Sequence, residues 1–245
     1  MTICDITQFY SPHSGGVKRY LQEKREYLKL HRPSARHVMI IPGEADREIK
    51  EGCGSIFTIR SPLVNRTSRY RMVLRLSKVE QLIVATRPDL IESGDPYQIA
   101  WKASATAEAL GLPSVAFYHS HFPEAYVRSV VKFLGPTIND FVMDFMQRYV
   151  RTLYNRFDCT IVPSAPLCQV LASWGVRNLH PTNLGIDPET FYPDPAAGSA
   201  FRSQYDIPQD TFLLLFVGRL APEKNLGTLV DAFRRLNSTY PGRYF

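Results

Sequence analysis

Three short stretches carry residue types whose spacing suits the binding of an anion or a hydroxyl. The first is Ser11-Pro12-His13-Ser14-Gly15-Gly16-Val17, between a short apolar run and a helical pattern. Paired glycines there let a ligand approach the backbone, and a helix start offers unpaired N–H groups to an anion. Lys18 and Arg19 follow in the first turn, where the helix dipole disfavours cations by about a few tenths of a kcal/mol, which hints at an anionic ligand. A plain turn is the alternative. The second stretch is Tyr118-His119-Ser120-His121-Phe122-Pro123-Glu124, after another apolar run. A histidine at the carboxyl end of a parallel strand can donate to a sugar hydroxyl or to a developing charge. His119 and His121 could also bind metal, but no third ligand accompanies them, and either could cap the next helix. The third is Phe216-Val217-Gly218-Arg219-Leu220-Ala221-Pro222-Glu223-Lys224-Asn225. Arg219 and Lys224 sit across a strand-to-helix loop, a spacing that makes a clamp for a diphosphate, with a solvated loop as the alternative. No paired carboxylates at helical spacing, no G-x-S-x-G and no P-loop occur.

The elements that must hold these stretches alternate in type. Strands are predicted at Ile3–Phe9, His37–Ile41, Ile56–Ile59, Leu90–Glu92, Ser114–Tyr118, Cys159–Val162 and Asn178–His180. Helices are predicted over 16–31, 68–86, 97–110, 136–156 and 165–174. This alternation indicates an α/β fold, a doubly wound parallel sheet with helices on both faces. Pro88, Gly111 with Pro113, and Ser164 punctuate it as helix stops and a helix cap. From Leu184 to Pro208 the prolines at 188, 193, 195 and 208, with Gly198, interrupt any regular element, as a connection between domains would. A strand over Phe212–Val217 and a helix from Glu223 to about Leu236 follow. The expected division is a domain over 1–183, a linker over 184–208 and the incomplete start of a second domain over 209–245.

The composition is that of an ordinary globular chain, with 44% apolar and 21% charged residues among 245. No apolar run reaches the roughly 18 residues that span a bilayer. The start, Met1-Thr2-Ile3-Cys4-Asp5, lacks the pattern of a secretory signal. Cys4, Cys53, Cys159 and Cys168 are scattered, without the spacing of zinc ligands or of a disulfide framework. A reducing, cytoplasmic setting is expected, without metal or cofactor. The net charge of +6 gathers at Lys18–Arg32 and at Arg60, Arg66, Arg69, Arg71, Arg75 and Lys78. No nucleic-acid-binding signature accompanies it. A solvated face, an anionic acceptor or the surface of an anionic membrane are the readings left open, the last implying a peripheral position at the inner membrane face.

The ordered set resembles the retaining glycosyltransferases of family 4, which have the two-domain GT-B fold. Gly15-Gly16-Val17, Val162-Pro163-Ser164, Asn183-Leu184-Gly185-Ile186-Asp187 through Pro193, and above all Val217-Gly218-Arg219 through Lys224-Asn225 carry the resemblance. It implies an N-terminal Rossmann-like acceptor-side domain and the first βα unit of a donor-binding domain. It further implies that Arg219 and Lys224 hold the diphosphate of a UDP- or GDP-sugar, that Gly15 and Gly16 admit the donor, and that His119 faces the transferred sugar. Transfer to an acceptor sugar or lipid would be metal-independent and retaining. The family's E-x7-E element would lie beyond Phe245, and Leu184 separates Asn183 from Gly185 where the family has them adjacent. The chain is therefore expected to be a truncated, inactive piece of such an enzyme. The alternative is a non-catalytic remnant that binds an acceptor or a membrane surface. A nucleotide-sugar epimerase of related architecture is a third reading, though its active-site carboxylates are not visible.

Overall fold

The structure, a computed structural model, describes residues 1–11, 15–52, 54–64, 69–128, 133, 135–218, 220 and 224–245. They divide into two compact units, Met1–Leu184 and Gly185–Phe245.

The first unit is built on one eight-stranded sheet: β1 (Thr2–Ile6), β2 (Arg36–Gly43), β3 (Arg47–Glu51), β4 (Gly54–Arg60), β5 (Leu90–Ser93), β6 (Ser114–Phe117), β7 (Cys159–Val162) and β8 (Leu179–Pro181). The spatial order is β3-β4-β2-β1-β5-β6-β7-β8, and every neighbouring pair except β3–β4 is parallel. Five helices connect the strands: α1 (Gly16–His31), α2 (Leu76–Thr86), α3 (Gln98–Leu110), α4 (Pro136–Tyr154) and α5 (Ala165–Ser173). The chain leaves β1 in one direction for β2 and β4, and returns on its other side as β5. A crevice opens where the order reverses, outside the carboxyl ends of β1 and β5.

Alternation along the strands assigns the two faces. Cys4, Ile6, Val38, Ile40, Ile59 and Ile91 pack with Val79 and Ile83 of α2 and with Ile99, Ala103 and Ala107 of α3. The opposite face of β2 carries Met39 and Ile41, which close on Leu21 of α1. Towards the β6–β8 side, Ala116, Tyr118 and Val162 pack with Val150 and Leu153 of α4 and Leu171 of α5. The expected punctuation is present. Gly111 caps α3 in the left-handed conformation (φ 63°), and the Ser164 side chain accepts from Leu167 N at 3.4 Å.

Several sequence expectations are corrected. β3 was not predicted, because Arg47-Glu48-Ile49-Lys50-Glu51 has no apolar alternation; all five residues are exposed, as on a charged edge strand. The helix expected over 68–86 starts only at Leu76. Before it, Leu63 and Arg71 form an isolated antiparallel bridge, and Arg71 donates to the Ser61 carbonyl at 2.8 Å. A π-helical turn, Pro123–Arg128, lies between β6 and α4.

The second unit holds α6 (Pro195–Gln204) and α7 (Leu226–Thr239). α6 falls where the prolines suggested no regular element. Pro195 starts this helix rather than stopping it, because Asp194 caps it by accepting from Ala197 N at 3.0 Å. The strand expected over Phe212–Val217 reduces to a parallel bridge between Phe212 and Tyr244; α7 begins at Leu226, and the expected start at Glu223 lies outside the described residues. Phe212 N donates to the Arg243 carbonyl and Leu214 N to that of Phe245, so among the described residues the segment finds only one short partner for its backbone. Neither α6 nor α7 buries a side chain.

Candidate active site

The crevice is lined by the residues that follow β1, β5 and β6. Asp95, two residues past β5 and 2% exposed, is its most unusual group. Its Oδ1 accepts from Thr7 Oγ1 at 3.2 Å and its Oδ2 from Gln8 N at 2.6 Å. Phe9 N also donates to the carboxylate, and to Thr7 Oγ1 at 3.0 Å. Burial outweighs these donors and pushes the carboxyl up to about 7. Sequence reading missed Asp95, because Gly94-Asp95-Pro96 reads as a plain turn; the only signal was its place just after a strand.

Phe9 is the hub of an aromatic cluster. Its ring centroid lies 5.8 Å from Tyr70, 5.3 Å from Tyr97 and 5.5 Å from His119, the first and last edge-on. His119 stands two residues past β6, and its Nε2 donates to the Gly94 carbonyl. That proton is therefore held by the backbone in this structure. Burial lowers the His119 pKa against the help of the Gly94 carbonyl, so the ring is neutral at pH 7. His121 points to other partners. Its Nδ1 shares a 3.0 Å hydrogen bond with the Tyr118 hydroxyl, and its ring stacks on Trp174 at 5.2 Å. Burial lowers its pKa as well. Among the described residues, no three His, Cys, Asp or Glu side chains gather as metal ligands would.

The β1–α1 loop ends at Gly15 and Gly16; its residues 12–14, His13 included, lie outside the described residues. A Cβ on either glycine would meet none of the described residues within 4 Å. Among the described residues no side chain caps the N-terminus of α1, and its first turn holds no acid. α1 is fixed to the sheet from below by ions. Lys24 Nζ lies 2.8 Å from Asp5 Oδ1 and 2.8 Å from Glu92 Oε2, two carboxylates that are register partners on β1 and β5. Tyr20 donates to Glu92 Oε1 at 2.8 Å, and His37 Nε2 donates to Asp5. Lys24 sits between Leu21 and Leu28 on the buried stripe of α1, so the signal was an ion inside an apolar repeat.

Asp95, with its neighbour Gly94, thus joins the chain after β1 to the neutral His119 after β6, beyond the carboxyl ends of a doubly wound sheet. The sequence profile of Glycosyltransferase Family 4 matches residues 14–190, well over half of the chain. The chain belongs to glycosyltransferase family 4. Sulfoquinovosyl transferase SQD2 of Arabidopsis thaliana is 29% identical over 163 residues, covering 63% of this chain and 29% of that protein. A GDP-mannose-dependent alpha-mannosyltransferase of Mycobacterium tuberculosis is 22% identical over 91% of this chain and 57% of its own length. The alpha-monoglucosyldiacylglycerol synthase of Acholeplasma laidlawii is 23% identical over 100% of this chain and 62% of its own. The chain thus spans from under a third to under two thirds of the length of these relatives. Its fold is the Rossmann-like α/β architecture of GT-B glycosyltransferases. The alpha,alpha-trehalose-phosphate synthase of Burkholderia vietnamiensis superimposes with a TM-score of 0.59 at 14% identity, covering 100% of this chain and 62% of that one.

Of the family's expected donor clamp, Arg219 lies outside the described residues. Lys224, in the second unit, is exposed and stands two residues before α7. The basic segment 60–78 proves to be partly neutralised by acids of the β2–β3 turn. Arg69 and Arg71 reach Glu44 at 3.2 and 2.7 Å, and Arg75 reaches Asp46 at 2.6 Å. The Arg60 N–H and then Arg75 hold Asp46 below the usual carboxylate range. The nearest acid in sequence is Glu80, which is why the segment reads as unpaired. Arg66 lies outside the described residues.

Proposed function

We propose that this family 4 chain provides the acceptor side, with the first part of the donor side, of a retaining, metal-independent transfer of a sugar from a UDP- or GDP-sugar to an acceptor hydroxyl. The observation that supports the reading is that Gly94-Asp95 joins the chain after β1 to His119 after β6, in a fold whose α1 starts at the Gly15-Gly16 pair. A helix N-terminus suits phosphate, and a neutral His119 suits an uncharged sugar. Arg219 and Lys224 would take the diphosphate and stabilise the charge that grows on it as the glycosidic bond breaks. The relatives' names supply the candidate chemistries: mannosyl from GDP-mannose, sulfoquinovosyl, and glucosyl on diacylglycerol.

The test is steady-state transfer and donor hydrolysis with UDP- and GDP-sugars. Arg219→Ala should remove a charge-assisted contact worth roughly 1.5–3 kcal/mol. Part of that loss should appear in kcat rather than in donor KM alone, because the charge grows toward the transition state. Lys224→Ala should behave alike, and the double variant should be less than additive. Unchanged kcat/KM in both single variants would overturn the clamp. A second reading, an acceptor-binding chain without transfer, is favoured by α6 and α7 burying no side chain. It would stand if the chain bound acceptor but neither bound nor turned over any donor.

The reading extends to a cytoplasmic chain in peripheral contact with an anionic membrane at its inner face. Because Arg69, Arg71 and Arg75 already have acidic partners, the contact falls to an apolar flank of α4. There Ile138, Phe141 and Phe145, at i, i+3 and i+7, are 48%, 73% and 59% exposed. No helix among the described residues is long and apolar enough to cross a membrane. Phe141→Ser with Phe145→Ser should abolish most co-sedimentation with vesicles containing anionic lipid, and high salt should weaken it only modestly. Undiminished binding of that variant would remove the idea.

A further inference from the structure

β3 is the outermost strand of the sheet, so one of its two edges faces no other strand. An open edge offers backbone N–H and C=O groups to any extended chain, and charged side chains are a common guard against such pairing. On β3 the charges come in a self-complementary order. Its five residues, Arg47-Glu48-Ile49-Lys50-Glu51, are all exposed and read basic, acidic, apolar, basic, acidic. Turned end for end about Ile49, the strand meets itself with every charge opposed. Arg47 then faces Glu51, Glu48 faces Lys50, and Ile49 faces its own copy. The two faces of the strand agree with this pairing. Arg47, Ile49 and Glu51 alternate onto one face, Glu48 and Lys50 onto the other, so each acid meets a base on its own side.

Other alignments oppose like charges. A slip of one residue sets Arg47 against Lys50, or Glu48 against Glu51. A slip of two sets Glu48 or Lys50 against itself, and a parallel pairing in register sets every charge against its own kind. Among the described residues Arg47, Glu48 and Lys50 have no ion-pair partner, while Glu51 lies 3.8 Å from Arg25 of α1. The charges of the strand therefore refuse most partners and suit one, its own sequence reversed.

We propose that β3 is a self-recognition edge, on which two copies of this chain pair antiparallel about Ile49 and join their sheets across a two-fold axis. Five residues bury far less than the roughly 1,200–2,000 Å² of a standard interface, so the pair is weak and reversible. Its ion pairs lie at the surface and make it sensitive to salt. β3 stands three strands away from β1, and the pairing is independent of the transferase reading.

The experiment is sedimentation velocity on the full chain over a wide range of concentration, at low and at high salt. The wild-type chain should shift reversibly from monomer towards dimer as its concentration rises, and less so at high salt. Glu48→Lys alone, or Lys50→Glu alone, sets like charges opposite at two places across the axis and should weaken the dimer at least roughly tenfold. Glu48→Lys combined with Lys50→Glu exchanges the charges and should restore it. The two single variants, mixed, should associate with each other, since a strand with two lysines then faces one with two glutamates. Circular dichroism checks that each variant keeps the wild-type fold. A wild-type chain that stays monomeric at every concentration, a dimer that either single variant leaves intact, or single variants that remain apart when mixed would overturn the proposal.

Discussion

Replacing Lys24 by methionine is expected to destabilise the first unit by roughly 3–5 kcal/mol, because it leaves Asp5 and Glu92 as buried acids without their cation. The two carboxylates are register partners, 3% and 9% exposed, and one ammonium at 2.8 Å from each is their common partner. Methionine conserves much of the stem's packing between Leu21 and Leu28, so the loss isolates the charge. The contrast is the triple variant Asp5→Asn, Lys24→Met and Glu92→Gln. Removing the whole cluster should cost far less than removing its cation, because no uncompensated charge is then left inside. Urea unfolding followed by tryptophan fluorescence reads this directly, since Trp101 and Trp174 both lie in the first unit. A loss below about 1 kcal/mol, the range of an exposed pair, would show that the ions are solvated and that α1 is held by its apolar stripe alone.

That cluster marks the boundary of what the sequence made legible. β7 and α1 fall where periodicity put them, because a buried parallel strand and an amphipathic helix both advertise themselves through apolar spacing. β3 does not, being a charged edge strand whose partner, not its side chains, makes it a strand. α6 was hidden by the ambiguity of proline, which ends one helix and begins another; only the cap at Asp194 decides between them. Phe212–Val217 reads as a strand by composition, but a strand is defined by its neighbours, and only Phe212 finds a bridge. The site divides in the same way. His119 was placed correctly past a strand end, since that position follows from the fold class. Its committed proton, the Asp95 clasp and the Lys24 cluster were not legible. Each depends on residues about 20 to 90 positions apart meeting in space, and a charge in an apolar repeat shows only that some partner must exist.

The first unit should be less stable at pH 8 than at pH 5, by an amount of the order of 2–4 kcal/mol. Burial raises Glu92 to about 7, with the Asp5 charge adding to it and Lys24 opposing; burial likewise raises Asp95 to about 7. Both acids bind their protons more tightly folded than unfolded. Their contribution is therefore fully present below about pH 4, where even the unfolded acids are protonated, and is lost as pH rises through about 7. Asp5 runs the other way. Burial pushes it up, but Lys24 and His37 outweigh burial and hold it below its ordinary value, so its contribution is lost only in stronger acid. Between pH 5 and 8 the neutral His119 and His121, whose pKa values burial lowers, oppose this slope, and the two more strongly shifted acids outweigh them. Glu92→Gln mimics the protonated side chain, so it should change little at pH 5, stabilise at pH 8 and flatten the dependence. Asp95→Asn should not act as a clean mimic. Its amide nitrogen only donates, so it cannot stand in for a carboxylate oxygen that accepts from Thr7 Oγ1 or Gln8 N, and it should cost stability at pH 5 as well. Denaturant unfolding of the three proteins at the two pH values separates these outcomes. A wild-type stability that rises from pH 5 to pH 8, or a Glu92→Gln slope as steep as the wild type, would mean that water reaches these carboxyls and that neither is held as a buried acid.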